Sequence, residues 1–202
     1  MSPHTDDGEL GCGGSIARFV SEGSEVFYAV FSTCEKSVPA GHPKDILKTE
    51  VKKATKVLGI DPKKLLLFDY PVRDFPANRQ AILDDLIRLR KELAPSFVFM
   101  PSPSDTHQDH QTISQESLRA FKMSSTLLGY EQPWNHVSFN TTSFISLKEA
   151  HIAKKIEALS QYKSQANRQY FNESFIRSLA TVRGSQISSE YAEAFEVVRW
   201  IL

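Results

Sequence analysis

The chain is predicted to fold as an α/β protein, a Rossmann-like three-layer sandwich built around a mostly parallel sheet. Three observations carry this prediction. Short apolar runs alternate with longer segments of helical periodicity; strands separated by helices imply βαβ units; and the polar clusters fall at loops and helix starts, where sheets of this kind gather their ligands.

The elements follow in order. Residues 9–22 form the first helix, and Glu25–Phe31 (EVFYAVF) reads as a buried strand, a β-branched and aromatic run that starts after Gly23 and Ser24. Lys44–Leu58 is helical by its apolar spacing. Lys64–Tyr70 (KLLLFDY) is a second strand, closed by Pro71. Arg79–Leu93 places Ile82, Leu83, Leu86, Ile87, Leu89 and Leu93 at helical spacing with charges between them. Ser96–Met100 (SFVFM) is a third strand between two prolines. The second half is less regular: helices are predicted at Gln111–Phe121, Leu147–Tyr162, Asn172–Thr181 and Ser189–Ile201, with one or two strands within Trp134–Ile145. Ser32–Pro43 is the longest irregular stretch, and its place after a strand makes it a wall of the site. At 202 residues, with no internal repeat, low-complexity tract or linker, residues 1–202 are read as one domain. A polar motif, SPHTDD, begins at residue 2, where a loop that should follow a strand has no strand before it. The chain as given is therefore expected to lack its first, interior strand.

Charge and composition narrow the function. Lys+Arg and Asp+Glu are 24 each, a formal net charge of zero, so no field draws the protein to nucleic acid or to anionic lipid. A small uncharged or mixed-charge partner fits better. No apolar run approaches the roughly 20 residues that span a bilayer, and the first dozen residues are acidic and Gly-rich where a secretory leader is basic and then apolar. Cys12 and Cys34 are the only cysteines, too few for a disulfide framework, so a reducing cytoplasm is the expected location.

Two clusters carry chemistry. His4-Thr5-Asp6-Asp7-Gly8-Glu9 sets an imidazole beside two carboxylates, suited to a borderline cation that accepts nitrogen and oxygen ligands. The competing reading is an acidic helix N-terminus, with glycines for a tight turn. Asp105-Thr106-His107-Gln108-Asp109-His110 follows the strand at Ser96–Met100 and puts two histidines three apart at a helix start, where they share a face. A solvated polar turn is the alternative there. Each cluster alone is ambiguous; together they point to one site. A separate reading makes GELGCGGS a phosphate cradle in a nucleotide-binding module, but it lacks a Walker-type lysine and leaves THQDH without a role.

The string SPHTDDGELGCGGSIA resembles the signature of the LmbE/PIG-L family of zinc-dependent N-deacetylases, and THQDH is similar to the family's second, His-x-Asp-His motif. The likeness extends to YKSQ at Tyr162–Gln165 and to RGSQISSEYAEAF from Arg183, with Thr5 standing where the family usually has Pro. The resemblance implies one zinc ion per chain held by His4, Asp7 and His110, with Asp6 as general base and His107 stabilising or protonating the tetrahedral intermediate. It also implies an N-acetylated amino sugar or its conjugate as substrate, with another small amide, a formyl or thiol-conjugate precursor, as the alternative, and a possible homo-oligomer. Three protein ligands leave a position open for water, as in catalytic zinc sites. Asp109 is expected to orient one of the two imidazoles of THQDH, and Arg73 to bind substrate hydroxyls or a phosphate. Glu35, His42, Tyr191 and Glu193 are further pocket candidates. Cys12, Cys34, His136 and His151 read as structural or ordinary polar positions, and Tyr170, Phe171, Phe195 and Trp200 as core.

Overall fold

A computed structural model describes residues 1–201. Its elements run α1 (Asp7–Ser21), β1 (Tyr28–Val30), α2 (Ile46–Val57), β2 (Leu65–Leu67), α3 (Arg79–Leu93), β3 (Phe97–Pro101), α4 (Gln108–Phe121), β4 (Thr126–Tyr130), β5 (Ser143–Leu147), α5 (Glu149–Leu159), α6 (Glu173–Ser185) and β6 (Tyr191–Arg199), with short 3-10 turns between them. The fold is mixed α/β, and its strands form two sections. β1 and β2 pair in parallel, while the second section has the order β3-β4-β6-β5. Within it β3 and β4 are parallel and β6 runs antiparallel to both β4 and β5. The sheet is thus half antiparallel, a correction to the mostly parallel sheet expected.

Met1 and Ser2 lie between the two sections. Ser2 bridges Val30 in parallel, its N–H donating to the Ala29 carbonyl at 2.8 Å and its carbonyl accepting from Phe31 N–H at 2.9 Å. The Met1 amino group donates to the Phe99 carbonyl on the other side at 2.7 Å. Two residues thus hold the place that an interior strand was expected to fill. β1 is correspondingly short, with Glu25–Phe27 outside it.

Two core clusters flank the strands. One joins α1, α2 and α5 through Ile16, Val51, Leu58 and Ala158 to Tyr130 and Phe195. The other joins α3 and α4 through Ile82, Leu86, Ile113 and Phe121 to Phe31, Met100 and Leu127. Each fully buried side chain of this kind contributes about 1.5–3 kcal/mol.

Two elements depart from the sequence-based expectation. Residues 189–201 were expected to be helical, because Ala and Glu favour helix, yet Tyr191–Arg199 is a strand paired on both edges. Two-sided ladder formation with burial of Ala192, Ala194 and Phe195 outweighs a weak local propensity. β4 has no counterpart among the expected elements. Gly129 within it is required by close approach: a Cβ there would stand 2.8 Å from the Ser102 Cα.

Candidate active site

The first motif is a loop tied at several points before α1 begins. Ser2 Oγ accepts the Gly8 N–H at 3.0 Å and donates to the His4 carbonyl, and the Tyr162 hydroxyl donates to the Thr5 carbonyl at 2.7 Å. Glu9 is buried beneath, bonded by Tyr28 and Tyr162, and burial pushes its carboxyl up to about 8. The glycines serve packing: a Cβ on Gly8 would strike the Tyr28 hydroxyl, and one on Gly11 the Tyr130 ring. No phosphate cradle is formed by GELGCGGS, whose residues from Asp7 to Ala17 are buried. α1 kinks at Cys12 (φ −145°). Beyond the kink the Glu193 carboxylate accepts Gly14 and Ser15 N–H at 3.0 and 2.7 Å, capping amides that the broken helix leaves without partners. Lys155 Nζ closes this buried group, 2.7 Å from Glu193.

The second motif starts α4. His107 is the N-cap, its Nδ1 accepting the Asp109 N–H at 3.2 Å, and His110 stands one turn into the helix.

The two motifs meet at one point. His4 Nδ1 is 3.1 Å from Asp7 Oδ2, His110 Nε2 is 3.2 Å from the same oxygen, and the two nitrogens are 3.3 Å apart. A tetrahedral ion with bonds of about 2.0–2.1 Å has ligand–ligand edges of about 3.3 Å, so this triangle matches one face of such a site. His107 also stands close, and His4, His107 and His110 offer ligand atoms within 4.8 Å of one another. The trio with Asp7 has the shorter separations and includes a carboxylate.

The remaining imidazole nitrogens are fixed from behind. His4 Nε2 faces Asp109 Oδ2 at 2.9 Å and His110 Nδ1 faces Asp105 Oδ2 at 2.8 Å, so in its neutral form each ring can keep its one proton on the carboxylate side and leave a lone pair on the triangle side. Asp109 thus orients His4, in place of an imidazole of its own motif, and Asp105 orients His110, a role the sequence reading left unassigned. Asp109 also accepts Arg73 N–H at 2.7 Å and Phe75 N–H at 3.4 Å.

The electrostatics follow this geometry. Burial opposes charge on His110, but Asp7 and the Asp105 hydrogen bond lift it to about 10. Burial likewise opposes charge on His4, whose pKa nonetheless rises through Asp7 and Asp109. Asp7 is held well below the usual carboxylate range, since its two histidine neighbours outweigh its burial. Asp6 differs. Burial and the Asp7 charge push it up to about 6, against Arg168 and His4, and its side chain makes no capping hydrogen bond. His107 is pushed down by burial and by His110 and His4, which favours its neutral form.

These groups open into a pocket of about 200 Å³. His4, Asp6, Asp7, Arg73, His107 and His110 all line it; Glu35, His42, Tyr191 and Glu193 do not. Glu193 instead sits in the buried pair with Lys155. Tyr170, expected in the core, forms a wall stacked on Trp134 with ring centroids 4.0 Å apart at 10°, and Arg168 lies beside it, hydrogen-bonded to its hydroxyl. Trp200 is exposed at 52 %. Trp134 and Arg168 have no place in the sequence-based expectation, and Tyr170 has one only as core, because nothing in their spacing ties them to either motif.

The comparisons with known proteins agree with the motifs. Residues 1–121 match the model of the family described as PIG-L: GlcNAc-PI de-N-acetylase. The chain is 30% identical to the uncharacterized deacetylase YaiS of Escherichia coli (strain K12), over 81% of this chain and 89% of that protein. It is 25% identical to diacetylchitobiose deacetylase of Thermococcus kodakarensis, over 98% of this chain and 81% of that one. Among solved structures it resembles the conserved protein TT1542 from Thermus thermophilus, with a TM-score of 0.80, 26% identity, and coverage of 100% of this chain and 94% of that one.

Proposed function

Since the chain belongs to the PIG-L (GlcNAc-PI de-N-acetylase) family, we propose that it is a zinc-dependent hydrolase that removes the N-acetyl group from an amino sugar or its conjugate. The reading rests above all on the triangle of His4 Nδ1, Asp7 Oδ2 and His110 Nε2, with edges of 3.1–3.3 Å, whose two imidazoles have their other nitrogens engaged by carboxylates. The core clusters on either side of the strands support describing the frame as a Rossmann-like sandwich.

His4, Asp7 and His110 would hold the zinc ion. Bound there, zinc supplies a Lewis acid that polarises the amide carbonyl and makes water a nucleophile near neutral pH. Asp6 receives the proton of the attacking water and passes it to the departing amine. Its lack of a capping hydrogen bond and its pKa near 6 suit a group that must both take and return a proton. His107 is fixed as the Nε2–H tautomer because its Nδ1 accepts the Asp109 amide, which leaves a donor for the oxygen that becomes negative. Asp105 and Asp109 keep the ligand lone pairs aimed.

The pocket is below the roughly 300–1,000 Å³ of sites that enclose a drug-sized ligand. It suits the acetamido group and part of one ring, with the rest of the substrate outside. The exposed Trp134–Tyr170 stack offers an aromatic face to a sugar, and Arg168 and Arg73 offer donors for hydroxyls or an anionic substituent. The two buried free thiols support a cytoplasmic setting.

Acetate release by the zinc-loaded protein from N-acetylglucosamine, N,N'-diacetylchitobiose and nucleotide-linked N-acetyl sugars tests the reading. Turnover is expected on at least one, with about one zinc per chain that His110→Ala loses. Asp6→Asn should keep the metal and lose about 10²–10⁴ in kcat. A zinc-loaded protein that releases acetate from none of these sugars overturns the substrate class; an Asp6→Asn variant with near wild-type kcat overturns the role of Asp6.

A further inference from the structure

A buried amide stands behind Asp7. Gln132, just past the end of β4 at Tyr130, has none of its surface exposed. Its Nε2 donates to Asp7 Oδ1 at 3.0 Å, with the Asp7 carbonyl oxygen farther off at 3.4 Å. Its Oε1 accepts from Asn135 Nδ2 at 3.2 Å. The same Nδ2 lies 3.3 Å from Asp105 Oδ2, the oxygen that His110 Nδ1 faces. Hydrogen bonds thus run from Asp7 through Gln132, Asn135 and Asp105 to His110, and join two corners of the triangle from behind.

The backbone anchors this connection to the second motif. The Gln132 carbonyl accepts Asn135 N–H at 2.8 Å and closes the 3-10 turn Pro133–Asn135. The Asn135 carbonyl in turn accepts the N–H and the hydroxyl of Thr106, at 3.0 and 2.7 Å. On the other side of Gln132, Glu131 accepts from Arg183 of α6 at 2.9 Å. The partners also fix which way the amide points. Turned end for end, Gln132 would set its oxygen against two Asp7 oxygens and its NH2 group against that of Asn135.

The two oxygens of Asp7 are therefore held apart in role. Oδ2 accepts His4 N–H at 2.7 Å and forms the corner shared with His4 Nδ1 and His110 Nε2, whereas Oδ1 is turned to Gln132. We propose that Gln132 is a positioning residue that makes Asp7 a one-oxygen ligand. By engaging Oδ1 it keeps the carboxylate from closing both oxygens on the ion, and so preserves the position that water needs. The proposal rests on the zinc site proposed for His4, Asp7 and His110.

The test loads the full chain with zinc and, separately, with cobalt(II), whose visible absorption is strong in a four-coordinate site and weak when further ligands join. Gln132→Met keeps the length of the side chain and removes the amide. It is expected to weaken zinc about 10–100-fold in competition with a chelator and, at saturating cobalt, to lose most of the visible absorption as Asp7 closes both oxygens on the ion. A role in folding alone would lower Tm and leave the cobalt spectrum as it is in the wild type. Should Gln132→Met fail to fold, Gln132→Asn withdraws the amide by one methylene and is read in the same way. Wild-type cobalt absorption in the variant overturns the proposal and leaves the zinc site standing. A wild-type protein that binds neither ion, or binds them no better than His110→Ala does, overturns the site and the proposal together.

Discussion

Zinc binding should be tied to pH through His110. Metal ligation needs the neutral imidazole, and Asp7 and Asp105 hold a proton on His110 up to about pH 10 despite its burial. At pH 7 the metal therefore displaces a proton held about three units above ambient, lowering apparent affinity about 10³-fold relative to the deprotonated site. The apparent association constant should climb about tenfold per pH unit between pH 6 and 8, and more steeply where His4, also raised, is protonated. Competition against a chelator of known pH dependence measures the slope. Calorimetry in two buffers of different ionisation enthalpy counts the protons, with one or two per zinc expected at pH 7. Asp105→Asn keeps an acceptor for His110 Nδ1 but removes a charge, so its slope should flatten. The metal-free protein has the opposite trend: a His110 pKa raised from 6.5 to about 10 stabilises the fold fully below about pH 6.5, and this contribution is lost as pH rises through 10. A zinc affinity that is flat from pH 6 to 8, with no proton released, would refute the reasoning.

Gly11→Ala should destabilise by about 1–3 kcal/mol, because its Cβ would enter the Tyr130 ring; the denaturant midpoint measures it. Lys155→Met should cost about 3–5 kcal/mol, since it leaves Glu193 buried without its cation, whereas Lys155→Met combined with Glu193→Gln should recover part of the loss in the same assay. Tyr170→Ala should raise KM for a sugar substrate by about tenfold with little change in kcat, because the Trp134 stack meets the part of the substrate that does not react; an equal fall in kcat would place Tyr170 in the chemistry.

The motif residues were legible because each half-site is short. His4, Asp6 and Asp7 span four positions, and His107, Asp109 and His110 another four, so local geometry nearly fixes each group. α3 was legible to its ends for a similar reason: one apolar stripe meets one neighbouring helix and the strands beneath it. β4 and β6 were not. Gly129 and the Ala-rich run at 192–194 favour other conformations locally, and only neighbours distant in sequence select the strand. Glu193 shows the same limit at the level of a side chain. Its place is set by amides that a kink at Cys12 exposes, and no spacing within residues 183–195 encodes that. Trp134, Arg168 and Tyr170 reach the pocket from loops whose course depends on how α5 and α6 dock.

Asp109 bonds at once to His4 Nε2 and to the backbone of Arg73 and Phe75. The loop that places Arg73 at the pocket therefore shares its anchor with a ligand of the proposed metal. Natural variation or laboratory grafting in residues 71–75 cannot retune substrate preference in isolation. Lineages that change what this enzyme accepts are expected to alter Trp134, Arg168 and Tyr170 first, because none of these three bonds to Asp109.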